Sequence, residues 1–373
     1  MSIGRGKVDL TARKAAKPQS AIGNLKVREE TNVLLTIVAT LVVAIPQWTL
    51  QTSGTTARLR GVSAVNDRVA WASGSSSTVL RTEDGGATWK KLTVTSDKLD
   101  FRDIDAIDER TAYLLAIGNG EASRIYKTTD AGLTWTLQFK NTEQQAFYDA
   151  MSFWDANHGI VIGDSIAREF CILITENGGS TWKRVPKESL PAALPSEGAF
   201  AASGTNIAVW GRSNAWIATG GAAKSRVLRT SDRGRTWKVV DTPLKAGASA
   251  GIFSIDFRDT RHGVIVGGDY AKESEAVDNL AVTHDGGVTW LLRKGLSGYR
   301  SVVAYVPHGF VKTKRIIAVG PNGTDYSSDD GETWKRDDAP GFDTASFIRS
   351  ARDSTVGWAA GKDGAIGRLS ISW

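Results

Sequence analysis

Cysteine is almost missing from this chain: Cys171 is the only one among 373 residues, beside four histidines and two methionines. A single cysteine excludes an internal disulfide and the paired-cysteine spacing of a zinc site. The sequence also lacks the spacing of a nucleophile–His–Asp triad and of a phosphate-binding loop. We therefore expect neither a cofactor nor a bound metal.

Long hydrophobic runs are missing too. The uncharged apolar run at residues 33–44 has 12 residues, fewer than the roughly 20 that span a bilayer comfortably. It follows a basic stretch and ends in Val42-Val43-Ala44, which suits a signal peptide with a small-residue cleavage site. An uncleaved anchor and a buried strand of the domain are the alternatives. We predict a leader at 1–45 and an exported domain at 46–373, periplasmic or extracellular, or lumenal in a plastid.

A strong charge excess is missing from the domain itself. The chain has a net charge of +6, but residues 1–30 carry seven Lys or Arg and three Asp or Glu. Most of the basic excess therefore belongs to the leader, and we expect no nucleic-acid partner.

What the chain does contain is glycine, tryptophan and a repeat. Six segments match Thr/Ser-x-Asp/Asn-x-Gly-x-Thr-Trp, and their tryptophans are 46, 47, 55, 53 and 44 residues apart. This period fits four short strands with their turns, which is one blade of an all-β propeller. The segments, called boxes below, are residues 82–89, 128–135, 175–182, 230–237, 283–290 and 327–334.

Each box has the chemistry of a turn. A short carboxylate such as Asp84 accepts N–H groups within the turn, and Gly86 adopts positive φ without strain. The third box has Asn177 in place of the aspartate, so we expect no charge-dependent catalytic role at this position. The predicted structural residues are Asp84, Trp89, Asp130, Trp135, Asn177, Trp182, Asp232, Trp237, Asp285, Trp290, Asp329 and Trp334.

The seventh repeat is incomplete. Residues 347–373 supply inner strands but no box, whereas residues 47–52 resemble the strand that follows a box. We predict that this N-terminal strand, around Trp48, completes the last of seven blades and removes both exposed sheet edges.

The repeat resembles the Asp-box (BNR) propellers, which include sialidases, sortilin-type receptors and photosystem II assembly factors of the Ycf48 type. Its strand rhythm is most similar to the Ycf48-type group over residues 46–373. The resemblance implies that the boxes lie on the face opposite the usual ligand funnel. It supports the fold more than any one function.

Candidate ligand residues come from aligning the repeats. Arg60, Arg102 and Arg300 share one position before an inner-strand apolar residue, where other blades have Asp149 and Phe253. Three arginines converging on a funnel would bind a carboxylate or phosphate. In the alternative, they are solvated rim residues that pair with acids, namely Asp103, Asp149 or Glu197. Loop residues complete the candidate set, which also contains Tyr148, Asp164, Glu197, Asp269 and Tyr270.

Two functions fit these residues. The resemblance implies a non-catalytic scaffold that binds a protein or peptide, such as a membrane-complex subunit, and touches the membrane only through an uncleaved leader. The alternative is a sialidase-like glycoside hydrolase with an arginine triad, a tyrosine nucleophile and an acid. Its candidate nucleophiles are Tyr148, Tyr299 and Tyr270, and its candidate acids are Asp149, Asp164 and Glu197. The Arg-Ile-Pro signature that resembles catalytic sialidases is missing from the first inner strand.

Overall fold

Seven four-stranded antiparallel sheets make up the computed structural model, which describes residues 47–337, 340–350 and 354–372. The predicted leader lies outside these residues. The strands of blades 1 to 3 are β2 (Leu59–Ala64), β3 (Ala70–Gly74), β4 (Thr78–Thr82), β5 (Lys90–Lys91), β6 (Asp100–Ala106), β7 (Ala112–Ile117), β8 (Arg124–Thr128), β9 (Thr136–Lys140), β10 (Tyr148–Phe153), β11 (Gly159–Ile166), β12 (Glu169–Thr175) and β13 (Lys183–Arg184).

Those of blades 4 and 5 are β14 (Ile207–Trp210), β15 (Asn214–Ala218), β16 (Arg226–Thr230), β17 (Lys238–Asp241), β18 (Ala250–Phe257), β19 (Gly263–Asp269), β20 (Leu280–Thr283) and β21 (Leu291–Leu292). Those of blades 6 and 7 are β22 (Val302–His308), β23 (Val311–Gly320), β24 (Gly323–Ser327), β25 (Lys335–Asp337), β26 (Thr344–Arg349), β27 (Ser354–Ala360), β28 (Ile366–Ser372) and β1 (Thr49–Gln51). Short 3₁₀ turns lie at Gly120–Ala122, Lys187–Ser189 and Lys362–Gly364.

The first strand of each blade is the innermost. Neighbouring first strands contact one another around the ring, and β2 meets β26 to close it. The predicted all-β, seven-bladed propeller is therefore confirmed. In the described part of the chain, no helix is long and apolar enough to cross a membrane.

The hydrophobic core lies between blades. One buried cluster joins Trp71 and Val79 of blade 1 to Phe101 and Leu114 of blade 2, and other blade pairs have equivalent clusters. Because each blade buries its apolar side chains against the next blade, a missing blade would leave the apolar side chains of its neighbours exposed.

Every box forms the turn between the third and fourth strands of its blade. In the first, the Asp84 carboxylate accepts the Thr82 hydroxyl at 2.8 Å, the Thr88 N–H at 2.9 Å and the Thr88 hydroxyl at 2.6 Å. The Thr88 contacts hold the pKa of Asp84 down at about 2, because hydrogen bonds to a carboxylate favour its charged form.

The asparagine box keeps this geometry with one bond reversed. Asn177 Oδ1 accepts the Thr175 hydroxyl and the Thr181 N–H, while Asn177 Nδ2 donates to the Thr181 hydroxyl at 2.9 Å. A hydroxyl can donate or accept, so the turn does not depend on the charge of the acid.

The N-terminal strand closes the ring. Strand β1 pairs with β28, with Thr49 opposite Arg368 and Gln51 opposite Ile366. Trp48 is buried in the core between blades 6 and 7. Gln51 connects this blade to the box of blade 1 by bonds to Gly85 O and Trp89 Nε1.

The propeller has two unlike faces. We call the face with the boxes and the turns between first and second strands the box face. We call the other the loop face, because it contains the entry to each first strand and the connections between second and third strands. Amide-to-carbonyl bonds such as Gly85 N to Arg68 O, at 2.9 Å, join the two kinds of turn on the box face.

Candidate functional site

The first strand of four blades begins with a β-bulge. The register shifts around Arg60, Arg102, Asp149 and Phe253, each of which is the extra residue between two ladder pairs. A bulge aims its extra side chain away from the regular alternation of the strand. The repeat alignment predicts one shared position for these four residues. The structure places them at equivalent points around the loop-face end of the channel, which is the space that the seven first strands enclose.

Arg300 does not join this set. Its N–H bonds to Gly267 O of the preceding blade, as the N–H of Leu59 bonds to Gly361 O. Arg300 therefore occupies the position of Leu59, one residue before the bulge position. Its side chain is fully buried and contacts Asp325 at 2.7 Å. The predicted triad of funnel arginines is thus corrected to a pair, Arg60 and Arg102.

Residues 199–205 form a plug across the channel. This segment precedes β14 and contacts the first strands of several other blades. Arg60 Nη1 donates to Ala202 O at 3.1 Å, and Arg102 Nη1 donates to Ala201 O at 2.9 Å. The Ser203 hydroxyl donates to Ser301 O at 2.8 Å. The two arginines therefore hold backbone carbonyls of the chain's own plug.

Two acids of blade 3 lie beside the plug. Asp149 and Asp164 face the backbone N–H groups of Ala201 and Ala199. Burial raises the pKa of Asp149 well above its usual range, and the nearby Asp164 charge raises it further. Burial raises the pKa of Asp164 to about 6.

An acid of blade 7 holds the arginines of blade 1. Asp343 is buried and accepts two bonds from Arg58, at 2.7 and 2.8 Å. Arg60 Nε lies 3.7 Å from the same carboxylate. Arg102 pairs with Asp100 at 2.9 Å. The arginine side chains remain part exposed, at 39% for Arg58, 17% for Arg60 and 24% for Arg102.

An aromatic cluster lies beside the plug. Phe200 stacks on Phe253 with ring centroids 4.0 Å apart, and Tyr299 meets Phe253 edge-on at 4.7 Å. Tyr270 packs edge-on against both stacked rings and is half exposed. The cluster and the arginines together give the loop face an apolar area next to a cationic one.

Other predicted site residues have structural surroundings. Glu197 is buried and accepts Arg226 Nε at 2.9 Å and the Thr219 hydroxyl at 2.7 Å. Asp269 accepts the Ala271 N–H at 3.0 Å. Tyr148 is buried, as is Tyr299, and burial raises the pKa of both phenols. Neither tyrosine is thus exposed as a nucleophile.

Beneath the plug, the channel is a cavity of about 520 Å³ that opens toward the box face. Side chains in it link neighbouring blades. Asp105 accepts the Phe153 N–H at 3.1 Å, and Ser63 accepts the Ala106 N–H at 3.0 Å. Burial raises the pKa of Asp105 to about 7. Within residues 47–337, 340–350 and 354–372, no three His, Cys, Asp or Glu side chains are grouped to hold a metal ion.

The plug and Phe200 were missed from the sequence. The signal for them was the spacing of 55 residues between Trp182 and Trp237, the longest in the repeat. It indicated an extended connection at 186–197 but not that the residues after it cross the channel.

Comparisons with known proteins agree with the repeat-based resemblance. Residues 47–150 match a family model described as Photosynthesis system II assembly factor YCF48. No curated protein matches the chain. A structure of YCF48 bound to D1 peptide is 17% identical with a TM-score of 0.59, covering 88% of this chain and 98% of that one. YCF48 from Cyanidioschyzon merolae is 18% identical with a TM-score of 0.59, covering 87% and 98%.

A glycoside hydrolase is also similar in fold. The GH74 enzyme of Niastella koreensis is 15% identical with a TM-score of 0.57, covering 83% of this chain and 51% of the enzyme. At such identities the structural likeness concerns the fold alone. With the family match, it confirms the resemblance of this chain to Ycf48-like BNR propellers.

Proposed function

We propose that this chain is an exported, non-catalytic propeller that binds a peptide segment of a protein partner on its loop face, as an assembly or stability factor for a membrane complex. The observation that carries the proposal is that Arg60 and Arg102 donate to carbonyls of the plug, and that Phe200 of the same plug packs in an aromatic cluster with the half-exposed Tyr270. Arginine and tyrosine are enriched among the residues that contribute most of the binding energy in protein interfaces. The peptide-bound YCF48 structure, which is similar in fold, supports the same class of partner.

The chemistry of this surface predicts the kind of peptide. Guanidinium groups bind carboxylates through two parallel hydrogen bonds. The adjoining rings of Phe200 and Tyr270 would take an apolar or aromatic side chain. We therefore expect an extended segment with a carboxylate, terminal or on a side chain, next to an apolar residue.

Peptide binding is tested with the D1 peptide of the similar structure as the first probe, followed by selection from a random peptide library. Fluorescence anisotropy of the labelled peptide gives the affinity. Arg102→Gln should weaken it at least about tenfold, because a charge-assisted pair contributes roughly 1.5–3 kcal/mol. Arg261→Gln, on the box face, is the matched control and should leave the affinity unchanged. Equal affinities for all three proteins would contradict the proposal.

The glycoside hydrolase alternative has less support. Two of its three candidate nucleophiles, Tyr148 and Tyr299, are buried, and Arg300, the third arginine of its triad, is fully buried against Asp325. Turnover of a fluorogenic sialoside that disappears in Arg102→Ala would favour the enzyme over the scaffold.

Export is a separate part of the proposal and rests on the basic and apolar leader at 1–45. Fractionation of cells producing the full chain should place the protein outside the cytoplasm. N-terminal sequencing of the exported form would then separate a cleaved signal peptide from a retained anchor.

A further inference from the structure

One hairpin projects beyond the others on the box face. In blade 1 the box amide of Gly85 bonds to Arg68, which lies inside the turn between the first two strands. In blade 6 the equivalent Asp330 amide bonds to Lys314 at 3.0 Å, three residues past Val311, which closes the turn. At about 3.4 Å per residue, the β22–β23 hairpin is roughly 10 Å longer than its counterpart in blade 1, and its tip lies at the box-face mouth of the channel cavity.

The tip of this hairpin is apolar. Phe310 is 98% exposed and Val311 is 63% exposed. Isolated apolar residues are common on protein surfaces, but here two adjacent apolar residues form the end of a turn, and one of them is an aromatic ring that is almost fully exposed. The Arg349 guanidinium lies over the Phe310 ring, 4.8 Å from its centroid, so a positive charge contacts the ring.

Further basic residues surround the tip. Lys314 is exposed on β23, and Lys312 lies over the Trp210 ring while it pairs with Asp256. Apolar residues at the end of a projection, with cations set back from it, match the profile of a bilayer, where acyl chains lie beneath anionic headgroups. Long basic side chains can keep their charge at headgroup level while their stems follow the apolar tip inward.

Two other apolar residues project from the same face. Leu133 is 81% exposed and Val288 is 44% exposed, and both precede the threonine of a box. The other boxes have Ala87, Ser180, Arg235 and Glu332 at this position. Both residues lie beside a box aspartate whose pKa is lowered to about 2, Asp130 or Asp285, so the tip of the β22–β23 hairpin differs from them in having cations around it.

The direction of the chain adds an independent observation. Strand β28 starts at the loop face, and Gln51 pairs with Ile366 at its start, whereas Thr49 pairs with Arg368 further along. The chain therefore enters β1 from the box-face side. The apolar run at 33–44 precedes this entry by only a few residues in the sequence.

We propose that the tip of the β22–β23 hairpin docks on an anionic lipid surface, with Phe310 and Val311 inserted among the headgroups and Lys314 and Arg349 against the lipid phosphates. This contact is additional to the leader, through which alone the sequence predicted membrane contact. Docking in this orientation turns the loop face, with Arg60 and Arg102, away from the bilayer. The proposal is independent of which peptide the loop face binds.

The experiment reports on the tip itself. Phe310→Cys in the full chain is labelled with an environment-sensitive nitrobenzoxadiazole group; Cys171 is buried and should not react. Vesicles of phosphatidylcholine with about 30% phosphatidylglycerol should blue-shift and brighten the label, whereas pure phosphatidylcholine should have little effect. Tyr270→Cys, labelled on the loop face, is the matched control and should not respond to either vesicle.

Partitioning onto the same vesicles supplies the second measurement, on unlabelled protein. Lys314→Gln should weaken partitioning about fivefold, which is the contribution of one basic residue near an anionic surface. Lys272→Gln, on the loop face, should leave partitioning unchanged. Phe310→Ser should weaken it about tenfold or more. If the fluorescence of the label at residue 310 stays that of a water-exposed group on anionic vesicles, the proposal is overturned, and a protein partner becomes the alternative occupant of the hairpin tip. Binding through the leader alone would give that same unshifted label.

Discussion

Trp48 Nε1 donates a hydrogen bond to Thr324 Oγ1 at 3.2 Å, across 276 positions of the sequence. The indole ring is buried between blades 6 and 7 and packs against Phe342 at 5.4 Å. The residue before the first strand is therefore part of the core between the last two blades.

Removal of this ring should open the propeller. Trp48→Ala is expected to lower the free energy of unfolding by about 3–5 kcal/mol, the usual loss for a large core aromatic. Urea denaturation followed by circular dichroism measures it. Leu50→Ala, two residues on and 59% exposed, is the control and should change stability by less than about 0.5 kcal/mol. Equal effects of the two substitutions would refute closure by this segment.

The buried Arg300–Asp325 pair gives a second prediction. Asp325→Asn leaves the fully buried guanidinium without its counter-charge, so we expect a loss of about 3–5 kcal/mol. Glu176→Gln breaks the exposed pair with Arg235 and should cost less than about 1 kcal/mol. Thermal unfolding compares the two. A loss as small as that of Glu176→Gln would contradict the role of Asp325 as the counter-charge of Arg300.

The box aspartates predict how the stability of the folded protein changes at acidic pH. The pKa of Asp84 and of Asp130 is lowered to about 2, below the value of about 3.9 in an unfolded chain. Their contribution to stability is therefore present above pH 4 and is lost as the pH falls toward 2. Asp84→Asn should keep the turn, as Asn177 does in the third box, but should be less stable than the wild type at pH 7 because it lacks the charge-assisted bonds, and it should lose less stability between pH 4 and pH 2. A steeper loss in the variant would contradict this account.

Asp164 should behave in the opposite sense. Its pKa is raised to about 6, so the folded state binds the proton more tightly than the unfolded chain does. The stability that this tighter binding gives is present below about pH 4 and is lost as the pH rises through 6. Asp164→Asn should therefore stabilise the protein by about 1–3 kcal/mol at pH 8 and by little at pH 3.5. Melting temperatures at both pH values test this, and a pH-independent difference would argue against a titrating acid.

The plug is expected to loosen when its arginines are removed. In Arg60→Gln and Arg102→Gln, amide hydrogen exchange in residues 199–205 should become faster, while exchange in the blades stays unchanged. Arg261→Gln on the box face is the control. Unchanged plug protection in both variants would mean that the carbonyl contacts of the two arginines contribute nothing to its position.

The repeat was sufficient to predict the fold because each box combines a turn with fixed backbone demands and a tryptophan that must be buried. The blade number followed, including the closure at Trp48. The site was harder to predict. The alignment placed Arg300 one residue out of register. In the structure, Ser301 and not Arg300 occupies the position in blade 6 that corresponds to Arg60 in blade 1.

The plug was harder still. Residues 199–205 are Ala-Phe-Ala-Ala-Ser-Gly-Thr, with neither strand alternation nor a turn motif. Their position depends on bonds to Arg60, Arg102, Ser301 and other residues of distant blades. Such contacts exist only once the ring has formed, so a local pattern in the sequence could not indicate them.

The pairing of β1 with β28 has a consequence for biogenesis. As the chain emerges from the ribosome, Thr49 and its neighbours remain unpaired until Arg368 has been made, so this edge stays exposed while all the intervening blades are synthesised. Ring closure is therefore the strand pairing with the largest loop-closure entropy to overcome. A chaperone or an export channel that keeps the first strand extended would delay that step until the entire propeller is available.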